Sequence, residues 1–163
     1  VLSLEEAPER FHARLHAAGK RYRYQLAFGS RKPVFDRKYL FRLEEAPDFG
    51  AMRQAARELE GTHDFRSFCS LRKMKKSSVR TIFRIGILED FERERAELIF
   101  EGNGFLYHMV RILTGTLLEV GAGRRSPEEM RRSLEAEDRG AAGFTAPPQG
   151  LFLEKVWYSE EEE

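Results

Sequence analysis

The sequence is poor in the things that would define many function classes. It has one cysteine, Cys69, in 163 residues, so no internal disulfide and no cysteine metal cluster can form within it, and a reducing compartment suits it. The one thiol is expected to act as a small buried hydrophobe. No run approaches the roughly 20 apolar residues of a membrane span, and no charged-then-apolar leader opens the chain, which starts at Val1 with no ordered start signal before Phe11. The reading is therefore cytoplasmic, with no membrane association, and the start hints at a truncated, processed or incompletely resolved chain. HExxH, GxxxxGK[ST], GxGxxG and GxSxG patterns are all missing, and the four histidines are not spaced like a metal site with acidic partners. Neither a metal nor a nucleotide cofactor is expected.

What is present is enough apolar material, 41% of residues with 12% aromatic, to bury one core of domain size. The net charge of +1 hides segregation along the chain. Between Glu9 and Arg42 there are ten Lys or Arg against two acidic residues, and between Arg66 and Arg84 seven basic residues and no acidic one. Much of the compensating acid lies in helical segments and in the run Glu160 to Glu163.

KRYRYQLAF (20–28) alternates, placing Tyr22, Tyr24, Leu26 and Phe28 on one face of a strand and Arg21, Arg23 and Gln25 on the other. Residues 29–47 carry Gly29, Pro33 and Pro47 and read as loop, with an extended piece near 38–43. A helix follows in which Asp48 caps, Phe49, Met52, Ala56 and Leu59 recur at helical spacing, and Gly61 supplies a left-handed end. Segments 79–91 and 96–102 read as an antiparallel pair. Helical spacing predicts a second core helix over 105–120, closed by Gly121 and Gly123, and Ser126-Pro127-Glu128-Glu129 signals a short third helix through Leu134. LFLEKVWY (151–158) is a last strand. The order predicts an α+β, ferredoxin-like antiparallel sheet with helices packed on one face. Residues 1–158 are expected to form a single RNA-binding domain, and 159–163 an acidic disordered tail.

Two basic stretches carry the partner argument. Arg14, Lys20, Arg21 and Arg23 sit among aromatic rings, a mixture able to neutralise phosphate and stack on unstacked bases; a merely solvated strand face is the alternative. Arg72, Lys73, Lys75 and Lys76 fall within five residues, dense enough for phosphate, although an ordinary surface loop reads the same way. In EGNGFLYHMVRILTG a strand ends at a glycine pair and a helix begins. There Arg111 lies about 200° around the helix from Leu113, sharing a stripe with His108 and Gly115. Its guanidinium can meet a carboxylate or phosphate from another element, and Gly115 admits a close neighbour. A surface arginine and a packed histidine remain the bland readings of Arg111 and His108.

FHARLHAAGKRYRYQL, GTHDFRSF, FEGNGFLYHMVRILTGTLLEVGAG and GLFLEKVWY together resemble, in order and spacing, the tRNA pseudouridine synthase A family. The resemblance implies an isomerase that extrudes a uridine of the tRNA anticodon stem-loop, breaks its glycosidic bond with an aspartate and reattaches the base through carbon, without a cofactor, as a homodimer sharing tRNA. It implies that Tyr22 stacks on the target base and binds substrate, that Arg111 pairs with the catalytic aspartate, and that Arg14, Lys20, Arg21, Arg23, the 72–76 loop and His108 belong to the RNA-binding surface. The family's aspartate lies in a Gly-Arg-Thr-Asp-Ala-Gly-Val-His motif that this sequence lacks. The chain is thus expected to be the C-terminal, RNA-gripping part, inactive alone. A non-catalytic ferredoxin-like RNA-binding module is the second reading, and a small interaction domain of the same shape the third.

Overall fold

The computed structural model describes residues 4–71 and 76–158. The alternating segment forms strand β1 (Gly19–Ala27), with Tyr24 and Leu26 buried on one face and Arg21 and Arg23 half-buried on the other. Strand β4 (Val79–Asp90) and strand β5 (Arg95–Gly102) make the expected antiparallel hairpin, and β6 (Leu151–Trp157) closes the chain's regular structure. The spatial order β6-β1-β5-β4, all antiparallel, is that of the ferredoxin-like β-α-β-β-α-β unit.

Two small strands extend that unit. β3 (Gly61–Asp64) pairs with β4 at the outer edge, and β2 (Phe41–Arg42) runs parallel to the C-terminal end of β1, with Leu26 opposite Phe41. β2 falls within the extended piece expected near 38–43, whereas β3 has no apolar alternation long enough to announce itself. The sheet is therefore mixed where a purely antiparallel one was expected.

Helix α1 (Phe49–Arg57) buries Phe49, Met52, Ala55 and Ala56, and its first turn is capped by Asp48, whose Oδ1 accepts the Ala51 N–H at 2.9 Å. Helix α2 (Met109–Gly121) packs beside it; a Cβ on Gly121 would lie 2.7 Å from Met52 Sδ, so the missing side chain sets the approach of the two helices. The second helix starts four residues later than its apolar period suggests, because His108 takes a left-handed conformation (φ 60°) and turns the chain before it. Helix α3 (Glu129–Glu135) also starts later than expected, although the Glu129 carboxylate still accepts the Ser126 N–H at 2.6 Å. Core residues Tyr24, Leu98, Phe100 and Ile82 from the sheet, with Phe65 just beyond β3, meet Met52, Ile112, Leu113 and Leu117 from the helices. At β4 a bulge at Phe83 resets the alternation so that Ile82, Ile85 and Ile87 all face inward, leaving Phe83 exposed.

Candidate RNA-binding and active site

Residues 105–115 form one wall of the site. A strap of residues 142–147 lies along α2, covering a helix stripe that the sequence reading left facing away from the apolar core. The Gly143 N–H bonds Thr116 Oγ1 at 2.9 Å, Phe144 N–H bonds Glu119 Oε1 at 3.1 Å and Ala146 N–H bonds the Arg111 carbonyl at 3.0 Å. A Cβ on Gly115 would sit 1.9 Å from the Phe144 carbonyl oxygen, so only glycine admits the strap. The close neighbour foreseen for Gly115 is this backbone.

The strap fixes Arg111. Its Nε donates to the Ala146 carbonyl at 2.6 Å, and the next carbonyl, of Pro147, accepts the Tyr24 hydroxyl at 2.6 Å. Burial raises the Tyr24 phenol well above its ordinary value against the opposing Arg111 charge, so this anchor stays protonated. The two Nη groups of Arg111 have no hydrogen-bond partner, and Arg111 forms no ion pair, among the described residues. A half-buried guanidinium held at one nitrogen with its fork open is costly unless a partner completes it.

On the sheet, Tyr22 shares the face of Tyr24, two residues on. Its ring meets Phe105 edge-on at 5.2 Å, and desolvation raises the phenol pKa, keeping the ring neutral. Its hydroxyl has no partner among the described residues. Lys20 lies on the same face by the strand's alternation, as does Leu153, opposite Tyr22 on β6 and 54% exposed. Leu153 was not singled out from the sequence, where it looks like one more apolar strand position. His108 stacks on Tyr107 at 3.8 Å and places Nδ1 3.3 Å from Ser70 Oγ; desolvation, with the Arg111 charge, lowers its pKa. Ser70, whose N–H bonds the Tyr107 carbonyl, directly precedes the basic 71–77 stretch of the sequence. Of that loop's cations, Lys76 is exposed, whereas Arg72, Lys73 and Lys75 lie outside the described residues, as does the acidic 159–163 segment. Arg80, passed over in sequence, runs along Gly104 at the strand end.

Arg14 sits in a turn ordered by His12, whose Nδ1 accepts the Arg14 N–H at 3.2 Å, and the preceding Phe11 rests edge-on against Tyr158 at 4.9 Å. That turn leads into the start of β1, the end that carries Lys20 and Tyr22. Arg21 and Arg23 are placed differently. They lie on the opposite sheet face, where Arg21 Nε bonds Glu101 at 2.5 Å, Arg23 Nη1 bonds Glu97 at 3.3 Å, and Arg23 Nε faces Glu154 at 3.5 Å without hydrogen-bond geometry. So Tyr22 and Lys20 share the sheet face of Tyr24, whose hydroxyl is held by the strap that also holds Arg111, and His108 feels the Arg111 charge, while Arg21 and Arg23 are held on the other face by glutamates.

The described residues contain no cluster of three His, Cys, Asp or Glu able to hold a metal ion, and no helix long and apolar enough to cross a membrane. A neutral stacking ring and an open guanidinium fork are instruments for a base and an anion. The tRNA pseudouridine synthase family model matches residues 55–159. The chain belongs to that family. Among relatives named tRNA pseudouridine synthase A, that of Geobacillus sp. (strain WCH70) is 46% identical over 158 residues, covering 97% of this chain and 63% of the relative. That of Listeria innocua is 46% identical over 158 residues (96% and 63%), and that of Halalkalibacterium halodurans 48% identical over 153 (93% and 57%). The chain spans about 63% of the length of the first two of these relatives.

Proposed function

We propose that this chain is the RNA-gripping, base-stacking part of a cytoplasmic tRNA pseudouridine synthase, which works as a homodimer on uridines of the anticodon stem-loop. The observation that carries the reading is the open fork of Arg111, anchored at Nε by Ala146 and facing no carboxylate among the described residues. In this reading a catalytic aspartate supplied from outside these residues pairs with that fork, which keeps the carboxylate ionised for attack. Tyr22 presents its neutral ring to the extruded uracil, over the Phe105 edge, and Lys20, Arg14 and the 71–77 loop meet phosphates. The N1–C1′ bond breaks, C5 bonds to C1′ in its place, the C5 proton leaves to solvent while N1 takes one up, and the aspartate is released unchanged; nothing is oxidised or reduced.

Because the C5 hydrogen is lost, tRNA transcribed with 5-tritiated uridine reports the reaction. The complete gene product releases tritium from anticodon stem-loop positions, residues 1–163 alone release none, and Tyr22→Ala in the complete protein, which removes the stacking ring, lowers the rate. Absence of release from the complete protein, with tRNA bound, would leave only the non-catalytic RNA-binding module.

A further inference from the structure

The chain between β1 and β2, Gly29 to Leu40, forms no helix or strand, yet it is fastened firmly to the β4–β5 turn. Arg31 Nη1 donates to the Glu92 carbonyl at 2.7 Å, and the Arg31 N–H donates to Glu94 Oε2 at 2.7 Å. That backbone bond, first of several, holds the Glu94 carboxyl below its ordinary value. Asp36 is taken by Arg95, Nη2 to Oδ2, at 2.7 Å. Two of the four carboxylates of the loop and the turn, Asp36, Asp90, Glu92 and Glu94, are thus spent as internal struts.

What they leave over is mostly cationic and aromatic, the exposed Glu92 carboxylate being the exception. Lys32, Arg37 and Lys38 are exposed and have no partner among the described residues, and Arg93, whose N–H bonds Asp90 Oδ1 at 3.0 Å, has a side chain 82% exposed that meets Asp90 only at 3.6 Å. Among these charges Phe35 stands 98% exposed. A loop tethered at Arg31 and Asp36 that holds a bare aromatic ring in water beside exposed cations gains nothing from either in the isolated chain. Between the loop and the hairpin turn is a concavity of about 580 Å³, walled by Pro33, Val34, Phe35, Arg93 and Arg95, within the size range of small-ligand sites.

The place matters as much as the chemistry. The loop leaves the C-terminal end of β1, five residues beyond Tyr22, so along the strand it starts about 17 Å from the stacking tyrosine. Phe35, beside Arg93 and Arg95 at that end of the strand, is therefore not the ring that stacks on the reacting base.

We propose that this loop is a second nucleotide-capture site: Phe35 stacks on an unpaired, non-reacting base of the RNA, and Lys32, Arg37, Lys38 and Arg93 bind the phosphates beside it. The inference rests on RNA being the substrate but not on Arg111 or on the isomerisation. A ring that accepts any base face and cations that follow the backbone fit a flexible, single-stranded stretch better than a paired stem.

The test is tRNA affinity of the complete protein across a salt titration. Phe35→Ala weakens binding about tenfold with the salt slope unchanged, as for one lost base stack, and Phe35→Trp restores it. The triple variant K32A/R37A/K38A makes the slope shallower by about 2, at about 0.7 per single-strand phosphate contact. For both, kcat at saturating tRNA stays at the parental value. Since these side chains are exposed, an unchanged melting temperature checks the fold. If Phe35→Ala and the triple variant both bind tRNA as the parent does, the loop is not an RNA site, whatever else it contacts. The outcome is separable from the proposed activity: tritium release with unaltered Phe35→Ala binding overturns the loop alone, and tRNA binding that depends on Phe35 without tritium release overturns the isomerase reading alone.

Discussion

Arg111 and Arg23 are both half-buried arginines of the same small domain, and the two faces of the sheet treat them in opposite ways. On the open face, Arg23 lies between Glu97 and Glu154, and its neighbour Arg21 bonds Glu101. On the helix face, Arg111 is held by one main-chain carbonyl with its fork unmatched. Composition cannot separate them, because both are arginines among aromatics. The difference teaches that the relevant quantity is not how many cations a surface carries but how many lack a carboxylate. Charge already neutralised within the domain contributes little to the field that RNA meets, because each arginine on that face is accompanied by the opposite charge of a glutamate.

The contrast between the faces can be broken most forcefully with glycine substitutions. Gly115→Ala drives a Cβ into the Phe144 carbonyl and lifts the strap that holds Arg111, so it should cost about 1–3 kcal/mol of stability and lower kcat as well. Gly86→Ala, on the open face, meets nothing closer than Ile99 Cβ at 3.6 Å and should be near neutral in both. Thermal melts and tritium release read the pair side by side; equal costs would mean that the strap has no special role.

A smaller effect sharpens the account of charge. Arg14→Ala and Lys20→Ala should each make the salt slope of tRNA affinity shallower by about 0.7–0.9, whereas Arg21→Ala and Arg23→Ala should leave it where it is. Equal slopes for all four would show that the glutamates release their arginines when RNA arrives.

The smallest effect concerns pH. The His108 imidazole is pushed below its ordinary value, so below about pH 6.5 the unfolded chain binds more protons there than the folded one. Its contribution to stability is therefore complete above that pH and is lost as the pH falls through the unfolded value towards the folded one. His108→Asn, which tolerates the left-handed backbone, should remove that part of the acid sensitivity from melting curves taken between about pH 7.5 and 5.5.

Much of this architecture was legible in the residues. The alternation of KRYRYQLAF, the cap at Asp48 and the periodic spacing of α2 announce their elements because each satisfies its own backbone or buries its own face. The bare stretches were not legible. GTHD has no apolar alternation and becomes β3 only because β4 offers an edge, and the start of α2 is decided by the left-handed turn at His108, which apolar spacing does not reveal. The position of Arg111 on the helix could be counted, but the strap that covers it could not, because residues 142–147 reach it through main-chain carbonyls that carry no signature in side-chain identity. Likewise the alternation put Arg21 and Arg23 on the face away from Tyr22, while their glutamate partners, some 70 to 130 positions away in the chain, could be found only from the register of β5 and β6.

The central claim is that Arg111, and not the cations of the open face, completes the chemistry. Tritium release from tRNA by the complete protein carrying Arg111→Ala, set beside Arg23→Ala, tests it most directly. The account predicts a fall of about 100- to 1,000-fold in kcat for Arg111→Ala with tRNA affinity within about threefold of the parent, the scale of a lost partner to a buried charge, and no more than about a threefold change for Arg23→Ala. A kcat for Arg111→Ala within about threefold of the parent, or an equal loss in the two variants, would contradict it.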